Sequence, residues 1–221
     1  MPSRIAIIPA RSGSKRIKNK NLINFNGKKL IFHTLDQIKK TNMFKKIHVS
    51  TESFKIKKIV EKKNFKTDFL RPKKLADDKT PLKDVVNFTL KKYLNNNINF
   101  DEVWLFFISN PFLNTTHIKN AYKLYLADKK KYSIMSVSEY NYPIDWALTE
   151  NKNSLLKPLF KKNFKLNKRK IYCEAGMFII YQNNYLKNKN SLNYKPYKIP
   201  MWETVDIDTK EDLILASKLK N

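Results

Sequence analysis

The sequence predicts an α/β fold: a doubly wound, mostly parallel sheet in three layers, with a protruding excursion. Three observations carry this expectation. Two short runs, Ile5–Ile8 and Glu102–Ile108, are apolar almost throughout, as strands covered on both faces are. Segments with helical spacing alternate with short apolar runs along most of the chain, the pattern of strand–helix–strand units. The alternation fails between Glu139 and Ile171, where Pro143, Pro158 and several lysines interrupt any period.

The elements follow in order. Ile5–Ile8 is the first strand, bounded by Pro9, and a small, basic loop follows it: Ala10, Arg11, Ser12, Gly13, Ser14, Lys15, Arg16. Such a loop after a first strand can turn N–H groups and cations toward an anion, although a solvated basic turn fits these residues equally well. It lacks the glycine spacing of a Walker A loop and of a dinucleotide fingerprint. Asn26-Gly27 marks a tight turn. Leu30, Ile31, Leu35 and Ile38 form a helical stripe, and Ile47–Ser50 reads as a strand. Ser53–Lys63 reads as an exposed helix with Phe54, Ile56, Ile59 and Val60 inward, and Thr67–Leu70 as a short extension. Thr80-Pro81 is expected to cap and open a helix reaching Leu94. Thr115 or Thr116 opens the next, to Ala127. Ser133–Val137 and Gly176–Tyr181 are strands, Val205–Asp208 is extended, and Thr209–Asp212 is a capping box before the last helix. No internal repeat is present, and the 221 residues suit one domain spanning 1–221, with 139–171 as a candidate arm.

Composition narrows the function. The formal charge of +26 invites a nucleic-acid partner, yet lysine and asparagine are spread over helix faces and loops rather than gathered on one surface. Tyr and Phe lie in apolar runs, not interleaved with Lys as stacking platforms require. The expectation is no nucleic acid and no membrane, since no apolar run approaches the roughly eighteen residues of a spanning helix. The single cysteine, Cys173, fits a reducing cytoplasm and reads as a structural thiol. His33, His48 and His117 have no zinc-ligand spacing. Only three glycines occur, Gly13, Gly27 and Gly176, each expected where the backbone needs positive φ or close approach. Asp206 and Asp208, two apart on extended backbone, share a side and can bind a divalent cation, or can simply complement the helix start beyond them.

Ile8-Pro-Ala-Arg-Ser-Gly-Ser-Lys-Arg-Ile-Lys-Asn-Lys-Asn21 resembles the signature of the CMP-sialic acid synthetase family, the cytidylyltransferases of nine-carbon keto-sugar acids. The likeness continues through Leu70-Arg-Pro72, Leu75-Ala-Asp-Asp78, Asn110-Pro111 and Val205–Asp212. Tyr140–Leu148 and Tyr172–Phe178 look most like the pseudaminic acid branch, with the N-acetylneuraminate and legionaminate branches as alternatives. The resemblance implies a Rossmann-like nucleotidyltransferase domain with a dimerisation arm. It also implies a reaction in which CTP and a nonulosonic acid give a CMP-sugar and pyrophosphate. Ala10, Arg11, Ser12, Gly13, Ser14 and Lys15 would hold the triphosphate, with Asn21, Arg71 and Asp78 completing the CTP site. Arg11, Lys15 and Asp208 would be catalytic, and Asp206 with Asp208 would bind Mg²⁺. Asn110, Tyr142, Arg169, Tyr172 and Gly176 would meet the sugar. A homodimer is implied, the partner's arm reaching the sugar site. The chain departs from its relatives where the sialic acid branch carries a glutamine, here Phe107-Ile-Ser-Asn-Pro111, and an Arg-x-Gln, here Phe164 to Leu166. Cys173-Glu174 replaces the usual His-Asp of the pseudaminic branch.

Overall fold

The computed structural model describes residues 2–160, 170–182 and 193–220. Ten strands and five α-helices are seen among them. In chain order they are β1 (Arg4–Pro9), β2 (Asn24–Phe25), β3 (Lys28–Lys29), α1 (Leu30–Lys40), β4 (Lys46–Ser50), α2 (Phe54–Glu61), α3 (Leu82–Leu94) and β5 (Glu102–Phe106). There follow α4 (Thr115–Ala127), β6 (Ser133–Glu139), β7 (Leu148–Glu150), β8 (Leu156–Pro158), β9 (Tyr172–Ile180), β10 (Tyr194–Lys198) and α5 (Lys210–Lys220).

The main sheet runs β10-β6-β9-β5-β1-β4. β1 pairs in parallel with β4 and β5, and β10 in parallel with β6. β9 alone runs against both neighbours. The apolar run of β1 is explained by its two faces. Ala6 and Ile8 join the core with α1, α2, α4 and α5, whereas Ile5 and Ile7 pack on the other face with Val86, Leu90 and Tyr93 of α3. Each buried aliphatic side chain of this strand stabilises by roughly 1.5–3 kcal/mol.

Local chemistry explains several boundaries. Ser53 caps α2 by accepting from the Ile56 amide, and Asn114 caps α4 by accepting from the His117 amide at 3.0 Å. Asn26 (φ 41°) and Gly27 (φ 81°) form the left-handed pair that closes the β2–β3 hairpin. The Thr209–Asp212 box is present: Thr209 Oγ1 accepts from the Asp212 amide, and Asp212 accepts from the amides of Thr209 and Asp208.

Other expectations are corrected. Phe54 is 66% exposed, because at helical spacing it falls on the face opposite the buried Ile56. Thr80 does not cap α3; its hydroxyl and amide turn to Asp77, and Pro81 is extended (ψ 139°) ahead of the first helical residue. The extension beside β4 is a single parallel bridge from His48 to Lys66, one residue before the stretch foreseen. Gly13 has no positive φ and open space around it, so nothing in its surroundings requires glycine. β10 was unforeseen, Pro196 and two lysines masking an edge strand. The described part of the excursion, residues 139–160, contains the β7–β8 hairpin.

Candidate active site

The carboxyl ends of parallel strands are where an open α/β sheet leaves room for a ligand. Here Pro9 ends β1, and Phe107, Ile108 and Ser109 follow β5. All four line a cleft of about 640 Å³. The loop after β1 forms one wall with Arg11, Ser14, Lys15, Arg16, Ile17, Lys20 and Asn21. Arg71, Leu75, Asp77, Asp78, Thr80, Leu82 and Val85 form another, and Asp208 enters from beyond β10.

The loop is held from within and from behind. The Ala10 amide donates to Ser50 O at 2.8 Å, prolonging the β1–β4 register into the loop. Asn21 is buried, and its Nδ2 donates to Arg11 O at 2.8 Å. Ser12 turns away from the cleft: its amide and its Oγ both donate to Glu52 Oε1 at 2.7 Å. Glu52 also lies 3.5 Å from Arg71 Nη2. Burial raises the Glu52 carboxyl, but the Ser12 bonds and Arg71 outweigh it, so the group sits below its ordinary value. Burial lowers the Arg71 guanidinium, which keeps its charge.

Four cations thus project from one loop, and each meets a carboxylate. Arg11 pairs with Asp78 Oδ1, and Lys15 Nζ lies 2.5 Å from Asp78 Oδ2. Arg16 and Lys20 reach Asp208 at 2.5 and 2.6 Å. Lys15 and then Arg11 hold the Asp78 carboxyl below its ordinary range. Two carboxylates therefore sit where cations converge, and an incoming polyanion would meet the same cations.

The foreseen residues divide. Arg11, Ser14, Lys15, Asn21, Arg71, Asp78 and Asp208 line the cleft, whereas Ala10, Ser12, Gly13 and Asp206 do not. Asp206 is exposed and approaches Gly176, whose φ is +61°; a Cβ there would lie 3.8 Å from the Asp206 carboxyl carbon. Asn110 is fully buried, and its amide is spent on Ala175 O, Glu203 O and the Phe112 amide. Tyr142 is 73% exposed on the excursion, and Tyr172 lies at the β9 end beside Lys198. Arg169 and the Phe164–Leu166 stretch lie outside the described residues. Sequence reasoning gave no role to Arg16 and Lys20. The signal was the basic run itself, which reads equally as surface until Asp208 is seen opposite.

A cytidylyltransferase profile matches residues 5–221. The chain belongs to the cytidylyltransferase family. It is 30% identical over 222 residues to a pseudaminic acid cytidylyltransferase of Campylobacter jejuni, covering 97% of this chain and 95% of that one. It is also 30% identical, with the same coverage, to a CMP-N,N'-diacetyllegionaminic acid synthase of Legionella pneumophila. The fold matches that of CMP:2-keto-3-deoxy-manno-octonic acid synthetase complexed with CTP, at a TM-score of 0.72 and 14% identity, over 99% of this chain and 98% of that one.

Proposed function

We propose that this cytidylyltransferase transfers CMP from CTP to the anomeric hydroxyl of a nonulosonic acid, with pseudaminic acid as its acceptor, releasing pyrophosphate. The observation that carries the reading is the cleft at the β1 and β5 ends, where Arg11, Lys15, Arg16 and Lys20 face Asp78 and Asp208. The sugar hydroxyl gives up its proton to solvent as its oxygen attacks the α-phosphorus in line, the α–β bridging bond breaks, and the leaving pyrophosphate carries the electron pair. Charge accumulates on the phosphates as this happens. Preset cations lower that barrier because they need no reorganisation during the reaction. Arg11 and Lys15 take the triphosphate from Asp78, which holds them spaced beforehand. Asn21 keeps the loop in shape through Arg11 O. The buried Arg71, fixed beside Glu52, offers its guanidinium to the nucleotide.

Asp206 and Asp208 suit Mg²⁺. Their carboxylates are hard oxygen donors, and a Mg²⁺ ion would take Asp208 from the Arg16 and Lys20 cations that now pair with it. Two carboxylates suit an ion that draws its remaining ligands from phosphate and water. Such an ion would supply charge neutralisation at the phosphates. Asp208 would orient the sugar hydroxyl. Gly176, midway along β9, lies near Asp206, and it and Tyr172, the first residue of β9, are proposed to face the sugar.

The active form is proposed to be a homodimer. The excursion exposes Tyr142, Trp146, Leu148, Leu156 and Leu159, each more than half accessible, and a second copy would cover them. Among the described residues no helix is long and apolar enough to cross a membrane, and CTP with a single cysteine points to the cytoplasm as the place of action.

The test is a panel of nonulosonic acids with CTP and Mg²⁺, read by pyrophosphate release. Release is expected, fastest with pseudaminic acid. Silence across the whole panel would sink the proposal.

A further inference from the structure

The aspartate-bearing segment before α5 is not part of the sheet, yet it is fixed at several points. Asn110, fully buried just past β5, donates one amide hydrogen to Ala175 O at 2.8 Å and the other to Glu203 O at 2.9 Å. It therefore ties β9, one residue before Gly176, to the start of the segment. The Glu203 carboxylate is held by His117 Nε2 at 2.7 Å, and His117 Nδ1 meets Tyr197 OH of β10 at 3.3 Å. His117 stands in the first turn of α4, its amide capped by Asn114. Further along, the Ile207 amide donates to Ser109 O at 2.9 Å, and Ile207 is fully buried between the two aspartates.

We infer that Asn110, His117 and Glu203 are positioning residues: they brace the segment that carries Asp206 and Asp208 and so set the turnover rate rather than CTP affinity. This rests on the proposed role of those aspartates. The physical argument is that a carboxylate acting on phosphate or sugar must be held within a fraction of an ångström, and backbone without a ladder has no such rigidity of its own. Three independent clamps supply it here: a buried amide at 203, a carboxylate–imidazole bond at 203 and a backbone bond at 207. None of Asn110, His117 and Glu203 lines the cleft, so none is placed to touch CTP.

The test uses Glu203→Ala and Glu203→Gln in the full chain. Glu203 is partly exposed, its side chain 27% accessible, so either variant is expected to fold. Glu203→Gln keeps an acceptor for His117. Three readouts are taken: kcat, the CTP dissociation constant without sugar, and hydrogen exchange at the amides of residues 203–208. For Glu203→Ala the brace predicts kcat lower by about ten- to a hundredfold, CTP affinity within about twofold of wild type, and exchange at 203–208 faster by about tenfold or more with the sheet unchanged. Glu203→Gln is expected to recover most of both losses. The inference is overturned if exchange and kcat of Glu203→Ala match wild type, if CTP affinity falls in step with kcat, or if Glu203→Gln is as impaired as Glu203→Ala. Should the wild type turn over no nonulosonic acid, the proposed function fails on its own, while exchange at 203–208 still decides the brace.

Discussion

Asp78 makes the sharpest prediction about the cleft. On the proposed function Arg11 and Lys15 receive the triphosphate, so CTP would displace Asp78 from them. The Lys15 side chain is 82% exposed and that of Asp78 38%, so water and salt screen the pair heavily and displacement costs little. Asp78→Asn removes the competing charge at nearly constant volume and should tighten CTP binding by about two- to fivefold. Lys15→Ala acts oppositely. It removes a charge-assisted bond to phosphate, and CTP binding should weaken by about ten- to a hundredfold with turnover nearly abolished. The assay is calorimetric titration of CTP at two salt concentrations, with a melting curve to show that both variants fold. The tightening by Asp78→Asn should shrink at high salt and should vanish in a Lys15→Ala, Arg11→Ala background. Weaker binding by Asp78→Asn would refute the reasoning and make Asp78 a direct contact to the nucleotide.

The remaining predictions concern stability and assembly. His48 is fully buried and its Nδ1 meets the Tyr93 hydroxyl at 3.0 Å, while burial lowers its pKa to about 4 despite Asp68. Because the folded value lies below the unfolded one, the neutral ring stabilises fully above pH 6.5, and that contribution fades as pH falls from 6.5 toward 4. The loss attributable to His48 should approach about 3 kcal/mol, read as the difference in pH slope between wild type and His48→Leu in urea unfolding. Glu102 is 1% exposed and binds Arg4 Nε at 2.6 Å and Lys130 Nζ at 2.5 Å. Glu102→Ala leaves the buried Arg4 uncompensated and should cost roughly 3 kcal/mol in the same assay. Trp146→Lys on the excursion should shift the chain to monomer in sedimentation, and an unchanged assembly state would remove that face from the interface.

Much of the fold was legible because the sheet demands it. A strand buried on both faces cannot hide among polar residues, so Ile5–Ile8 announced a strand covered on both sides, and Thr209–Asp212 announced the start of α5. Strand direction was not legible, since nothing in the residues of β9 marks it off from β5 and β6 beside it, and only its pairing shows that it runs against both. β10 escaped because Lys195, Pro196 and Lys198 suppress the apolar signal at an edge. At the site, the cationic character of the loop from Ala10 to Asn21 was legible. Its counter-charges were not, because Asp78 and Asp208 lie far along the chain and only folding brings them opposite Arg11, Lys15, Arg16 and Lys20. Asn110 was expected to meet the sugar only through the family resemblance. The fold instead uses both its amide hydrogens and its oxygen on backbone.

The central claim is transfer of CMP to a keto-sugar acid, and the product itself tests it most directly. Incubation of the chain with CTP, Mg²⁺ and pseudaminic acid, followed by mass measurement of the nucleotide fraction, should show a CMP-sugar and pyrophosphate appearing in equal amounts. CTP left intact, or CTP hydrolysed to CMP with no sugar attached, would contradict the account.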